Sequence, residues 1–321
     1  MKHLFIINPV SGGKRHNPDV TEEMIKKAVR GLSDDWEIYF TKAPMDAAEK
    51  IKHDADICDE LRVYGCGGDG TLCECVNGAV GRKNVAVTQY PCGTGNDFIR
   101  LFKDDAERFK SINALIGGQV HTVDTIKCGD MYCLNICSVG TDARVGTDVH
   151  KYSRLPFVKG PVAYLVSLVV NVCKGISSPL TVKWDGNVVS DKLTMVCACN
   201  GRFYGGGFNP TNDARIEDGK MDIFVVKDVP LYKVPSVLSK YSKGEYKSLG
   251  EYITYISPKK IEISADKEFV INVDGEAIYS NRILFELVPA SLRFISPQGV
   301  KYWNETEETA EFESIKEKIG V

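Results

Sequence analysis

Three short apolar runs in the first hundred residues each end in a loop rich in glycine, and this arrangement restricts the fold more than any other feature of the chain. The loops are Asn8-Pro9-Val10-Ser11-Gly12-Gly13, Gly67-Gly68-Asp69-Gly70-Thr71 and Pro91-Cys92-Gly93-Thr94-Gly95-Asn96-Asp97. Strands are predicted over 4–8, 37–41, 61–64 and 85–90, and apolar residues recur at helical spacing over 21–29, 46–57, 71–80 and 105–116. Such alternation is the pattern of a parallel sheet covered by helices. In an open parallel sheet ligands sit beyond the carboxyl ends of the strands, so the three loops are expected to converge on one crevice.

Beyond residue 120 the pattern changes to short alternating strands joined by turn dipeptides. Gly129-Asp130 and Asp185-Gly186 sit between strand-like runs as hairpin turns do, and further strands are predicted over 196–200, 221–226, 260–264, 269–273 and 283–288. The expected architecture is therefore an α/β domain at 1–125 followed by an antiparallel β-sandwich-type domain at 126–291, with 292–321 packing back on the first. The acidic stretch 305–318 has the pattern of a solvated covering helix.

Composition narrows the function. A formal charge of -3 argues against a dedicated nucleic-acid binder, which needs a strong excess of Lys and Arg. The apolar run near the first residue is too short for a signal peptide, and the cytoplasm is the expected compartment. Eleven Cys form no CxxC pair and no cluster with zinc spacing, so free thiols are expected. The longest uncharged stretch, 160–173, is too short to span a bilayer as a helix. It lies within the acid-free interval 149–184, which carries Lys151, Arg154, Lys159, Lys174 and Lys183. A core helix with solvated flanks and a docking surface for an anionic membrane both account for that composition.

The loop at Gly67–Thr71 follows a strand and opens a helix, so backbone N–H groups can face an anion while glycine permits close approach. It lacks the Walker lysine and does not match GxGxxG. An acidic residue inside a phosphate-binding loop is unfavourable unless a cation or a proton transfer uses it. Asp69 thus asks for a partner, and magnesium held by one or two carboxylates plus substrate phosphates would supply it. Asp97 and Asp124 are the further candidates, although Asp97 could equally cap the helix that follows.

These loops resemble, in order, the motifs of the diacylglycerol kinase catalytic domain. The likeness continues through Gly140-Thr141-Asp142-Ala143, the stretch from Asn200-Gly201 to Gly205-Gly206-Gly207 with Pro210 and Ala214, Asp218-Gly219 with Asp222, and Asp274-Gly275-Glu276. It covers nearly the whole chain. The family includes bacterial lipid kinases related to sphingosine and ceramide kinases, and it implies a nucleotide-binding domain with the phosphofructokinase and NAD kinase fold facing a β-rich domain. By this resemblance Asn8, Pro9, Ser11, Gly12, Gly67, Gly68, Asp69, Gly70, Thr71, Gly93, Thr94, Gly95 and Asn96 hold ATP. Asp69, Asp97 and Asp124 form a carboxylate network around Mg²⁺, and a structural Mg²⁺ takes Asp218 with the backbone carbonyls of Arg215 and Lys220. An ordinary turn is the other reading of Asp218-Gly219. Asp274 is implied as general base, with Asp69 the second choice and Glu276 close by.

The expected activity is transfer of the γ-phosphoryl group to a lipid hydroxyl, with diacylglycerol the first acceptor and a sphingoid base or undecaprenol-like alcohol as alternatives. The rivals are an NAD kinase-like enzyme, which shares the Gly-Gly-Asp-Gly-Thr loop, and a non-catalytic lipid-binding protein. The expected setting is the inner membrane surface, met peripherally, by a chain that forms homodimers in line with the general prior.

Overall fold

In a computed structural model the described residues are 1–11, 17–152, 166–167, 169–171 and 175–303. Gly12, Gly13, Arg154, Lys159, Lys174, most of 160–173 and the whole of 305–318 lie outside them.

The first half alternates as its sequence implies. Strand β1 (Lys2–Ile7) is followed by α1 (Pro18–Ala28), β2 (Asp35–Phe40), α2 (Asp46–Ala55), β3 (Leu61–Gly67), α3 (Asp69–Ala79) and β4 (Val85–Pro91). The four strands pair in parallel in the order β2-β1-β3-β4. Leu4, Phe5, Ile6 and Ile7 are all buried, as a central strand covered on both faces requires. Helix α1 starts where Asn17 accepts a bond from the Asp19 amide and Pro18 presets the first turn.

The single helix expected over 105–116 does not form. A 3-10 segment over Phe98–Lys110 is interrupted at Lys103, whose φ is 50°, and a short helix α4 (Ile112–Ile116) begins afresh where Ser111 caps the Ala114 amide. Aromatic packing outweighs helical propensity here: Phe98, Phe102 and Phe109 all pack against Phe294 from the far end of the chain. Asp105 turns its carboxylate to Arg108 and to the Lys301 amide.

The second half is antiparallel. It comprises β5 (Gln119–Cys128), β6 (Met131–Cys133), β7 (Ile136–Gly140), helix α5 (Thr141–Tyr152), β8 (Ser178–Trp184), β9 (Asn187–Cys199), β10 (Asp222–Lys227), helix α6 (Val234–Tyr241), β11 (Ile253–Ile256), β12 (Lys260–Val273) and β13 (Glu276–Ser296). Both dipeptide turns are where the sequence puts them, and at Asp185-Gly186 both residues have positive φ, as a two-residue hairpin turn demands. The strands predicted over 260–264 and 269–273 are one strand, β12, bulged between Ser264 and Phe269.

Alternation along β9 serves two cores. Val196 and Ala198 enter one with Ile223, Ile271 and Phe285, while Met195, Cys197 and Cys199 enter another with Phe224, Val237 and Tyr241. With both faces buried, this strand reads as a continuous apolar run. The ten described cysteines are free, and most are buried in such positions.

Strand β13 joins the halves. Its Phe285 and Leu287 lie in the core of the second half, whereas Leu292 and Phe294 lie in that of the first. Its far end pairs in parallel with β4, so the strands form one hydrogen-bonded sheet of 13. The change of core coincides with a register shift against β5 between Val288 and Leu292.

A buried ion network ties the first strands to α2. Asp54, 1% exposed, receives Lys2 at 2.7 Å and Lys50 at 3.0 Å, and both ammonium groups also reach Glu37. Burial pushes the Asp54 carboxyl up, but its bonds to Lys2, His53 and Lys50 outweigh this and hold it below the ordinary value. Its contribution is therefore complete at neutral pH and is lost as pH falls from about 4 through the lower folded value. Asp54→Ala should cost about 3 kcal/mol in chemical denaturation at pH 7 and distinctly less at pH 3; an equal loss at both pH values would refute the ionic account.

Candidate active site

The two glycine loops at the ends of β3 and β4 are built against each other. Gln89 donates to the Gly67 carbonyl and to Asn96 Oδ1, and the Cys92 amide donates to the same Gly67 carbonyl. Asn96, at φ 52°, braces its own loop by accepting from the Gly93 amide and donating to the Gly93 carbonyl. The backbones approach so closely that a Cβ on Gly93 would overlap the Gly68 Cα. Helix α3 begins at this contact, with no side chain capping its first amides. Those amides, the helix dipole and the facing loop together form a cradle for an anionic group.

The loop after β1 reaches the same place. Asn8 bonds back to Cys66 and turns the chain through Ser11 and Val10, and a Cβ on Gly68 would lie 3.6 Å from Ser11 Oγ. Pro9 is exposed and Gly12 lies outside the described residues. Thr71 Oγ1 is buried beside Gly67 with no hydrogen-bond partner among the described residues, and Thr94 is exposed.

Carboxylates crowd this cradle. Asp69 Oδ1 accepts the Asp97 amide at 2.7 Å, and a Cβ on Gly95 would lie 2.5 Å from Asp69 Oδ2. Burial and the charge of Asp97 push the Asp69 carboxyl up to about 7, against the backbone N–H groups of Asp97 and Asn96, and Asp274 adds to the rise. Asp97 does not use its side chain as a helix cap. One oxygen accepts the Gly206 amide of the second half at 2.8 Å, and the other lies 3.0 Å from Arg100 Nε. Burial raises Asp97 too, opposed by Gly206 and Arg100. Arg100 is a member of the site that sequence reasoning missed; its place one helical turn after Asp97 was the available signal.

Asp274 comes from the β12–β13 turn at φ 49°, with Gly275 also at positive φ. Its carboxylate is clamped: it accepts the amides of Leu134 at 2.7 Å, Ile136 at 2.9 Å and Asn135 at 3.1 Å, and the Cys133 thiol at 3.1 Å. Burial pushes this carboxyl up, while those four donors pull it down. Glu276, two residues on, is exposed, and its Oε1 would lie 3.5 Å from a Cβ on Gly70 at the start of α3.

Asp124 is used differently. One oxygen accepts the Gly219 amide at 2.7 Å and the other accepts the Ala290 amide at 2.8 Å, inside the β13 register shift. At the neighbouring turn Asp218 accepts the Lys220 amide at 3.0 Å and lies 3.9 Å from its ammonium, while Lys259 donates to the Gly219 carbonyl. Arg215 bonds through its guanidinium to Glu217 and to the Tyr302 carbonyl. Two ammonium groups thus reach this turn, Lys220 toward the Asp218 carboxylate and Lys259 to the Gly219 carbonyl. Among the described residues no group of three or more His, Cys, Asp or Glu is placed to hold a metal ion.

A recess with mostly apolar walls opens between α5, β9, β10 and α6. Tyr204 lines it, and Gly206, two residues on, donates to Asp97.

A parallel-sheet crevice with an anion cradle, a facing β domain and clustered carboxylates is the arrangement of a phosphoryl-transfer site, and the comparisons agree. Residues 2–128 match the diacylglycerol kinase catalytic domain, and 135–296 match the YegS C-terminal NAD kinase beta sandwich-like domain. The chain belongs to the diacylglycerol kinase catalytic-domain family. It is 26% identical over 248 residues to a "Putative lipid kinase" of Staphylococcus aureus strain JH9, covering 77% of this chain and 80% of that one. It also resembles the crystal structure of a "putative diacylglycerol kinase" from Bacillus anthracis strain Sterne, at 25% identity and TM-score 0.74 over 93% of this chain and 98% of that one. A second structure from that strain, a diacylglycerol kinase by title, aligns with TM-score 0.70 at 23% identity and shares the fold. This lipid kinase family member is a phosphotransferase with an alcohol acceptor.

Two outcomes follow from the packing. Gly93→Ala should force the loops apart and raise the nucleotide KM at least several-fold, which steady-state kinetics would read. Asp274→Asn should lower stability by about 3 kcal/mol as well as activity, because an amide NH₂ would face backbone donors. A fully stable Asp274→Asn protein in urea denaturation would show that the clamp is unimportant.

Proposed function

We propose that this enzyme transfers the γ-phosphoryl group of ATP to the hydroxyl of a lipid. Diacylglycerol, after which the family is named, is the first acceptor to test. The observation that carries the reading is the juxtaposition of the anion cradle with a carboxylate cluster and an apolar recess, joined by the loop from Asn200 to Gly207. The cradle suits phosphate, the recess suits hydrocarbon, and one loop reaches both, through Tyr204 on the recess and Gly206 on Asp97.

The nucleotide phosphates would rest on Gly67–Thr71 and Gly93–Asn96, with Ser11 and Asn8 at their edge. Asp69 and Asp97 fit a Mg²⁺ ion: burial raises both, Asp97 even with Arg100 beside it, and the charge of Asp97 raises Asp69 further. When bound, the ion would neutralise phosphate charge. Asp124 does not fit such a role, since backbone amides occupy both its oxygens, and no step involves it or Asp218.

Proton acceptance falls best to Glu276, the exposed carboxylate opposite Gly70, with Asp69 as the alternative. Asp274 suits holding the turn that presents Glu276. Acceptors would be met at a membrane surface. No helix among the described residues is long and apolar enough to cross a bilayer. Leu231 and Tyr232 are 62% and 80% exposed beside Lys233, next to recess residues Val229 and Val234, and offer a peripheral contact.

The test is transfer from γ-labelled ATP to mixed lipid acceptors and to NAD, with and without Mg²⁺. Label should appear in lipid, only with Mg²⁺; label in NAD alone would refute the reading. Glu276→Gln and Asp69→Asn should each lower kcat by at least about 10²-fold. Protons compete with the cation for Asp69, so Mg²⁺–nucleotide affinity, measured by calorimetry, should weaken as pH falls below about 7.

A further inference from the structure

One face of α3 runs along the part of the second half that carries Asp274. Gly70, Cys73 and Asn77 stand on successive turns of that face. A Cβ on Gly70 would lie 3.5 Å from Glu276 Oε1. Burial pushes the Cys73 thiol up, and the charges of Asp274, Cys133 and Glu276 add to the rise, so these groups lie near the middle turn. At the third turn Asn77 bonds to the backbone of Tyr132 in β6. Its Nδ2 donates to the Tyr132 carbonyl at 2.9 Å, and its Oδ1 accepts the Tyr132 amide at 2.8 Å. Nδ2 also donates to the Cys73 carbonyl at 2.9 Å, which fixes the side chain on its own helix.

Among the described residues β6 pairs with β5 alone, so the amide and carbonyl of Tyr132 that face α3 need a partner from the helix. An amide side chain supplies one, because it offers a donor and an acceptor side by side as a peptide group does. Tyr132 packs against the core of the first half, whereas Cys133 enters that of the second. The Cys133 thiol and the amides of Leu134, Asn135 and Ile136 then clamp the Asp274 carboxylate. These contacts close a ring. It runs from the Gly70 end of α3 to Glu276, through Asp274 to 133–136, and from Tyr132 through Asn77 back to α3. Asn77 lies about 10 Å along the helix from Gly70, so it acts on the cradle only through this ring.

We propose that Asn77 is a positioning residue for phosphoryl transfer, setting how far the turn with Asp274 and Glu276 stands from the cradle at the start of α3. This rests on the lipid kinase reading, in which Glu276 accepts the proton. Without the bond pair, β6 and the Asp274 clamp can shift from α3, and a displacement of about 1 Å at a reacting group can cost on the order of 10²-fold in rate. Nucleotide binding should not suffer equally, because Gln89 and Asn96 brace the two glycine loops independently of Asn77.

The experiment compares wild type with Asn77→Ala and Asn84→Ala, their folding verified by circular dichroism. Asn84 is the matched control: its side chain also binds backbone, donating to the Ala55 and Cys58 carbonyls at 2.7 and 2.8 Å, but at the start of β4, opposite the glycine loop. For the lipid that wild type labels best, kcat should fall at least about tenfold in Asn77→Ala with the ATP KM within about twofold, while Asn84→Ala keeps both within about twofold. Hydrogen exchange read by mass spectrometry follows the clamp without turnover. The amides of 132–136 should exchange at least about tenfold faster in Asn77→Ala and at the wild-type rate in Asn84→Ala. If Asn77→Ala does not fold, Asn77→Gln, with the same amide on a stem one carbon longer, takes its place and should show the same split between kcat and KM. If wild type phosphorylates no lipid, the lipid kinase reading fails while exchange still decides whether Asn77 holds the clamp. A kcat within about twofold of wild type, an equal fall in Asn84→Ala, or unchanged exchange over 132–136 overturns the proposal.

Discussion

The active site depends on how Asp124 fixes the crossing between the two halves. Strands β5 and β13 run antiparallel through both cores, and each shifts allegiance from one core to the other where their register slips. At that slip the Ala290 amide has no strand partner in sequence with its neighbours, and Asp124 accepts it. The other oxygen holds the Gly219 amide, so one buried carboxylate secures a bulge and a turn together. Because β13 begins just after the Asp274 turn and ends beside β4, this junction sets the distance between Glu276 and the glycine loops. Charge-assisted bonds to two amides hold more firmly than neutral ones, which suits a carboxylate to the task.

The same economy of buried charge explains why neighbouring carboxylates differ in use. Asp274 meets three amides and a thiol, Asp124 meets two amides, and Asp69 meets amides on one oxygen while its other oxygen faces Gly95 and Asp97. The number of donors decides how far each can still bind a cation or a proton. Asp124 and Asp274 are built into the scaffold. Asp69 and Glu276 keep capacity that a ligand can use, while Asp97 has one oxygen on the Gly206 amide and the other beside Arg100.

Much of this was legible in the sequence, and its failures have physical causes. Strand-loop-helix spacing locates the Gly67–Thr71 and Gly93–Asn96 loops because a parallel strand can end in few ways beside an anion. The turn at Asp185-Gly186 is legible because two positive φ angles restrict the residue choice. What Asp124 binds was not legible, since an aspartate in a strand carries no mark of which amide its side chain will meet across 95 or 166 residues. Nor was the break at Lys103, in a segment whose Phe98, Phe102 and Phe109 pack on Phe294 from the far end of the chain. The sequence motif containing Asp142 was visible, but its place in the recess follows from Tyr204, which reaches it from a loop far along the chain.

The acids of the candidate site repel one another. Asp69, Asp97, Asp274 and Glu276 come together around α3, Arg100 is paired to Asp97, and Asp97 and Asp274 both contribute to the rise of Asp69. Asp274 is held there by its four donors, but replacing Asp69 by a neutral residue would relieve repulsion, so stability alone gives no reason for that acid. A nucleotide adds still more negative charge to the cradle. A Mg²⁺ ion held between phosphates and carboxylates, as proposed, would turn both sets of repulsions into attraction. The fold therefore places its least stable electrostatic feature where a charged ligand completes it, and the loop that carries Tyr204 and Gly206 links that point to the apolar recess.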